Sequence, residues 1–238
     1  MIQQCIIAVS SDETRARLTG MLVKVEEGRV RLVATDSHRL ATASVPLDGS
    51  AEALSVIVPA RALREVERHL VAEEQATVLV DFTDSQAQFR FDQLTIVSRL
   101  IEGEFPNYRK AIPGSHDWTI TGPVSILRES VRRCAIVSRE DNRKLILRAT
   151  AAGELHLSAH SAKVGSAEEE VEGLALVAAD GASEPLEIAF NAEYLLGVLN
   201  QLDSDEVRVE LTAANQPAAV RPVADEDYVY VLMPMQIG

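Results

Sequence analysis

The feature that most constrains this chain is an internal repeat. The segment SVIVPARALREVERHL, followed by TVLVDF, a turn, AQFRF and TIVSRL, is echoed by PLEIAFNAEYLLGVLNQL, then EVRVEL, a turn, AAVRP and YVYVLM. Each copy reads as a strand, a helix of about three turns and three antiparallel strands, and the copies lie roughly 130 residues apart. Two domains of one plan follow, an α+β chain of repeated βαβββ units. Pro113 and Gly114 interrupt the periodicity in IPGSHD, so the linker is placed at Ile112–Asp117, with one domain over 1–113 and the other over 114–238.

Alternation predicts further strands at Leu22–Val25, Val30–Ala34, Leu40–Val45, Val78–Phe82, Ala87–Phe91 and Thr95–Arg99. In the second half it predicts Leu145–Ala149, Leu155–Ala159, Lys163–Val171, Leu186–Phe190, Val207–Leu211 and Tyr228–Met233. Helical spacing appears in PARALREVERHLV, with Pro59 in its first turn, in PVSILRESVRRCAIVS from Pro123, and in NAEYLLGVLNQL, where Asn191 is the expected N-cap. Each domain contains the unit twice, except that the first unit has only half a helix and no leading strand before Met21.

Hydrophobic residues make up 47% of the 238 and aromatics only 4%, so the cores must be built mainly of Val, Leu, Ile and Ala. No apolar stretch approaches the roughly 20 residues that span a bilayer, and MIQQCIIAVS lacks a signal-peptide pattern, so the expected location is the cytoplasm. Cys5 and Cys134 lie in apolar surroundings and form no CxxC pair, which points to buried thiols.

The net charge of −13 excludes a chain coated in positive charge, yet two helices carry ordered arginines. On the helix after Pro59, Leu63, Val66 and Leu70 share one side, while Arg61, Arg64 and Arg68 fall on the other. On the helix after Pro123, Leu127, Val131 and Cys134 form the apolar stripe, and Arg128, Arg132 and Arg133 lie off it. The same device on two helices of an acidic chain favours a surface that faces the phosphates of duplex DNA without reading sequence. A solvated charged face is the simpler alternative for either helix alone.

Catalysis should leave a constellation of converging groups, and none stands out. Asp36, Ser37 and His38 are adjacent in VATDSHRLA rather than brought together from separate elements. His156 and His160 share a strand face without a third ligand, so no metal is expected. The glycines are scattered and make no phosphate loop. The residues describe a binding or structural protein with no catalytic residues and no cofactor.

Four blocks then converge on a family. VATDSHRLA at 33–41 resembles the VATDGHRLA signature of the bacterial beta sliding clamps, the processivity subunits of DNA polymerase III. SRLIEGEFPNYRKAIP at 98–113 is similar to the family's segment running into its last domain, FNAEYLLGVLNQL at 190–202 matches it, and YVYVLMPMQI at 228–237 resembles its C-terminal YVVMPMRL. The resemblance implies a short form carrying the middle and C-terminal clamp domains. It implies helices on one face towards duplex DNA, antiparallel sheets on the other, and no enzymatic turnover. The implied partners are double-stranded DNA, the DNA polymerase III catalytic subunit, the clamp loader and other clamp-motif proteins.

The resemblance also implies a partner-peptide groove between those two domains. Carried over by motif, its walls are Arg15, Leu18, Thr35, Ser37, His38, Arg39, Leu40, Pro106, Lys110, Ala111, Tyr194, Val231, Leu232, Met233, Pro234 and Met235. Several positions depart from the family. Ser37 replaces the signature Gly, Asn142 and Asn215 stand where apolar pocket residues are expected, Gln236 replaces an Arg, and Gly238 extends the tail. The family's ring contains six domains, so three copies of a two-domain chain would supply a trimeric ring. The alternative is a form that binds and sequesters clamp partners without encircling DNA.

Overall fold

The computed structural model describes residues 1–47, 52–72, 77–139, 142–179 and 184–237, and it divides into two compact units, Met1–Tyr108 and Arg109–Gly238. Gly238, expected to extend the tail, lies outside the described residues.

The first unit begins with a short helix α1 (Ile2–Ile6) and a 3-10 segment, Glu13–Leu18. Strands β1 (Gly20–Glu26), β2 (Arg29–Thr35), β3 (Arg39–Pro46) and β4 (Leu54–Pro59) follow, then helix α2 (Ala60–Ala72) and strands β5 (Leu79–Phe82), β6 (Gln86–Arg90) and β7 (Thr95–Arg99). The β1–β2 hairpin turns on Glu27 and Gly28, both at positive φ (52° and 69°), the conformation that matches a two-residue turn to the twist of its strands. Gly20 opens β1 where a Cβ would stand 2.6 Å from the carbonyl of Val58, so the β1–β4 ladder needs a glycine there.

The strand order exposes a relationship that the linear repeat conceals. β4 leads into α2 yet pairs with β1, giving a four-stranded antiparallel sheet β3-β2-β1-β4, while β5, β6 and β7 form a second sheet. Leu63 and Val66 bury α2 as expected from their spacing, with Ala60 and Ala62 beside them, and Arg61, Arg64 and Arg68 remain exposed. Pro59 closes β4 instead of sitting in the first turn of the helix. It has no N–H to donate, so the strand end is as good a place for it as a helix start.

The second unit repeats the plan more fully. It contains β8 (Trp118–Pro123), α3 (Val124–Ser138), β9 (Lys144–Ala149), β10 (Leu155–Ser161), β11 (Gly165–Glu170) and β12 (Ala175–Ala178). Then come β13 (Leu186–Asn191), α4 (Ala192–Gln201), β14 (Glu206–Leu211), β15 (Ala218–Pro222) and β16 (Tyr228–Leu232). Again the strand before each helix is lent to the other repeat: β8 pairs with β14, and β13 pairs with β9. The antiparallel sheets are β12-β8-β14-β15-β16 and β11-β10-β9-β13. Mixed α+β architecture with antiparallel sheets, expected from the repeat, is what the chain adopts.

The exchange explains the burial pattern. In β8, Trp118 and Ile120 are buried at alternate positions, and where α3 packs on α4, Leu127, Val131 and Cys134 of the one and Leu195, Val198 and Leu199 of the other are all buried. Removing that much aliphatic surface from water supplies about 1.5–3 kcal/mol per large side chain. In the first unit β5 pairs only with β6 among the described residues, and its Leu79 and Val80 are 60% and 42% exposed.

Candidate functional site

The turn between β2 and β3 is held by its own polar side chains. Asp36 is buried, and its Oδ1 accepts hydrogen bonds from the backbone N–H groups of His38 and Arg39 at 2.9 and 3.0 Å. Its Oδ2 takes Nε of Arg39 at 2.9 Å. Thr35 Oγ1 donates to the Arg39 carbonyl at 2.7 Å and accepts from Ser37 N–H at 3.1 Å. The polar run in VATDSHRLA is therefore a self-capped Asx turn that fixes the direction of Ser37 and His38, both exposed, above the buried Leu40.

Ser37 has φ of 79°, the left-handed region in which a side chain is unusual. Its Oγ accepts a hydrogen bond from Nη1 of Arg15 at 3.1 Å. Arg15 is clamped further by Asp12 Oδ2, 3.1 Å from Nε, and by Ser10 Oγ, 3.3 Å from Nη2. Two hydrogen bonds from Thr14, with a smaller contribution from Arg15, hold the Asp12 carboxyl below its usual range. Leu18 is buried and Pro106 exposed in the same unit.

The second unit places its own share of the implied residues. Val231 and Leu232 are buried in β16, whereas Met233, Pro234 and Met235 are half-buried beyond its end. The tail is pinned there: Met235 N–H donates to the Ala189 carbonyl at 2.7 Å, and Lys144 Nζ donates to the Ile237 carbonyl at 3.2 Å. Tyr194, half-buried in the first turn of α4, sits behind the predicted cap, since Asn191 Oδ1 accepts from the N–H groups of Glu193 and Tyr194. Tyr230 adds a hydrogen bond from its hydroxyl to the Tyr194 carbonyl at 3.4 Å. Lys110 is exposed and Ala111 half-buried in the 3-10 turn Tyr108–Ala111. Asn142 adopts a left-handed φ of 56° ahead of β9, and Asn215 is exposed between β14 and β15.

The arginine-bearing helices are not equivalent. Arg61, Arg64 and Arg68 are all exposed on α2, with Arg68 paired to Glu65 at 2.9 Å. On α3, Arg128 and Arg132 line a small cavity with Glu129, Leu196 and Asn200, whereas Arg133 is tied to Glu169 of β11. Sequence spacing could not reveal that engagement, because Glu169 lies on a strand 36 residues away.

Burial pushes the Cys5 thiol up to about 12 and that of Cys134 to about 11, which leaves both protonated and unreactive at neutral pH. Among the described residues, no group of three or more His, Cys, Asp or Glu side chains is arranged to hold a metal ion. None of the described helices is long and apolar enough to cross a membrane.

Comparison with known proteins gives these surfaces a context. Residues 1–107 match the central domain of the DNA polymerase III beta subunit, and residues 109–236 match its C-terminal domain. The beta sliding clamp of Pseudomonas putida is 33% identical over 239 residues, a span covering all of this chain and 63% of that protein. The solved DNA polymerase sliding clamp of Bacillus subtilis superposes with a TM-score of 0.92 at 30% identity, over 100% of this chain and 61% of the other. The Pseudomonas aeruginosa DNA polymerase III subunit beta solved bound to griselimycin gives 0.91 at 33%, over 100% and 62%. The chain thus spans about three fifths of the length of the relatives it matches. With both units matched in order, it belongs to the DNA polymerase III beta subunit family, the bacterial beta sliding clamps.

Proposed function

We propose that this chain works in bacterial DNA replication as a sliding-clamp processivity component, in the cytoplasm and without catalytic activity or a cofactor. Residues 1–113 act as the central clamp domain and 114–238 as the C-terminal one. Its partners are duplex DNA, the catalytic subunit of DNA polymerase III, the clamp loader and other proteins carrying clamp-binding motifs.

The observation that carries this reading is the ordered match of both halves to adjacent clamp domains. Two local features support it. The self-capped turn at Thr35–Leu40 and the pinned tail at Met233–Met235 are rigid, partly apolar surfaces suited to short linear peptides, which gain most of their affinity from a few anchored side chains. The flexible thioethers of Met233 and Met235 fit several related motifs. Arg61, Arg64, Arg68, Arg128 and Arg132 offer phosphate contacts that carry no sequence information.

Assembly follows by symmetry. Head-to-tail contacts close into rings when the rotation permits, and three two-domain copies supply six domains. The test is light scattering over a concentration series, combined with retention on nicked circular DNA after loading. A trimer that stays on circles and slides off after linearisation is expected. A monomer that binds partner peptide but is not retained would instead support the sequestering role.

A further inference from the structure

We propose that Ser37 is a positioning residue for partner recognition, acting through Arg15. The inference rests on the peptide-groove reading above and names how one end of that groove is set. Ser37 holds a left-handed backbone conformation, φ 79°, where glycine would be free of strain, and its hydroxyl is spent on Arg15 at 3.1 Å. Arg15 itself lies at φ −104° and ψ 58°, outside helical values, within the Glu13–Leu18 segment. Two departures from regular backbone thus meet at one hydrogen bond, linking segments 22 residues apart in the sequence.

The geometry decides what Arg15 offers. Its guanidinium has five N–H donors. Among the described residues three of them are used: Nε on Asp12, Nη2 on Ser10 and Nη1 on Ser37. One N–H on each terminal nitrogen remains, in the plane that the three acceptors fix. The Asp12 carboxylate already balances the charge, so the chemistry best matched is a neutral acceptor oxygen of a docked peptide, an amide or main-chain carbonyl. Without Ser37 the guanidinium keeps Asp12 and Ser10 but can turn about that edge, and the two remaining donors lose their fixed direction.

A double-mutant cycle tests this, read by titrating a synthetic peptide carrying the clamp-binding segment of a bacterial replicative polymerase. Ser37→Ala removes the hydroxyl and is expected to weaken binding about three- to fivefold, a partial loss because Asp12 and Ser10 still hold the guanidinium. In an Arg15→Ala background the same change should have almost no effect. Ser37→Asn, which tolerates the left-handed conformation and supplies an amide oxygen, should restore the affinity. The Ser37→Ala effect should persist at high salt because the contact is with a neutral group. Equal losses in both backgrounds, or no loss in either, would overturn the inference while leaving the groove intact. Failure of the wild-type chain to bind the peptide would remove the groove reading, and this inference with it.

Discussion

Arg133 of α3 donates two hydrogen bonds to the carboxylate of Glu169 on β11, Nε to Oε1 at 2.5 Å and Nη2 to Oε2 at 2.8 Å, and a further one to Ser130 Oγ at 3.1 Å. A guanidinium held in this bidentate way clips a helix to a sheet edge and has few donors left for phosphate. Of the six arginines that the sequence offers to DNA, this one serves the fold. Arg133→Ala should leave DNA retention close to that of the wild type, whereas Arg128→Ala with Arg132→Ala should reduce it and flatten its salt dependence. Retention assays at two salt concentrations separate the two cases.

The same pair gives a pH signature. The hydrogen bonds from Arg133 are the main cause holding the Glu169 carboxyl below its ordinary value of 4.5. A depressed folded value means that the unfolded chain takes up the proton first, so the stabilisation is full at neutral pH and is lost as pH falls through and below 4.5. Melting temperatures of wild type and Glu169→Gln should differ at pH 7 and converge as the pH is taken below 4.5.

Glu210 is buried on β14 between two arginines that face each other across the ladder, Arg208 and Arg221. Its Oε1 lies 3.0 Å from Arg208 Nε and its Oε2 3.2 Å from Arg221 Nε. Removing the carboxylate takes the shared counter-charge from between the two arginines and leaves Arg208 with Glu226, 3.2 Å from its Nη2. Glu210→Ala is expected to cost about 2–4 kcal/mol, measured by urea denaturation at neutral pH.

The turn at Asp36 should be fragile to a single change. Asp36→Ala removes the acceptor of the His38 and Arg39 N–H groups and the carboxylate that meets Nε of Arg39. A loss of about 1–3 kcal/mol is expected, together with weaker peptide binding, because the exposed Ser37 and His38 lose their support. Denaturation and peptide titration on the same variant check both.

The cap of α4 gives a milder outcome. Asn191→Ala removes the acceptor for Glu193 and Tyr194 N–H and should lower stability by about 1 kcal/mol, with a modest loss of peptide affinity through Tyr194. Thermal melts and the peptide titration measure the two effects.

Much of this fold was legible because its signals are local. The alternation in RVRLVAT and TIVSR, the Asn191 cap and the apolar stripe Leu127, Val131 and Cys134 each depend on neighbours within a turn or a strand. The repeat was visible for the same reason. What escaped were non-local choices. β8 and β12 are not singled out as strands, because WTITGP runs directly into the helix after Pro123 and ALVA has no polar residue to alternate with, and their pairing partners lie far along the chain. The exchange of leading strands between repeats is likewise decided by packing. At the candidate site, the motif resemblance points to VATDSHRLA, whose hydrogen bonds are local to the turn. The clamp on Arg15 needed three dimensions, since Ser10, Asp12 and Ser37 converge on it from two segments. The 3-10 segment Glu13–Leu18 gives no periodic cue either, because the backbone breaks helical geometry at Arg15.

The most direct test is a titration of the replicative-polymerase peptide into the wild-type chain and into Met233→Asp, with melting curves to show that both are folded. The expected result is saturable binding of one peptide per chain at a Kd of about 1 μM, about −8 kcal/mol, with the charge placed at the half-buried Met233 weakening it at least about tenfold. Absence of saturable binding to the folded wild type, or equal binding by Met233→Asp, would contradict partner docking at this surface.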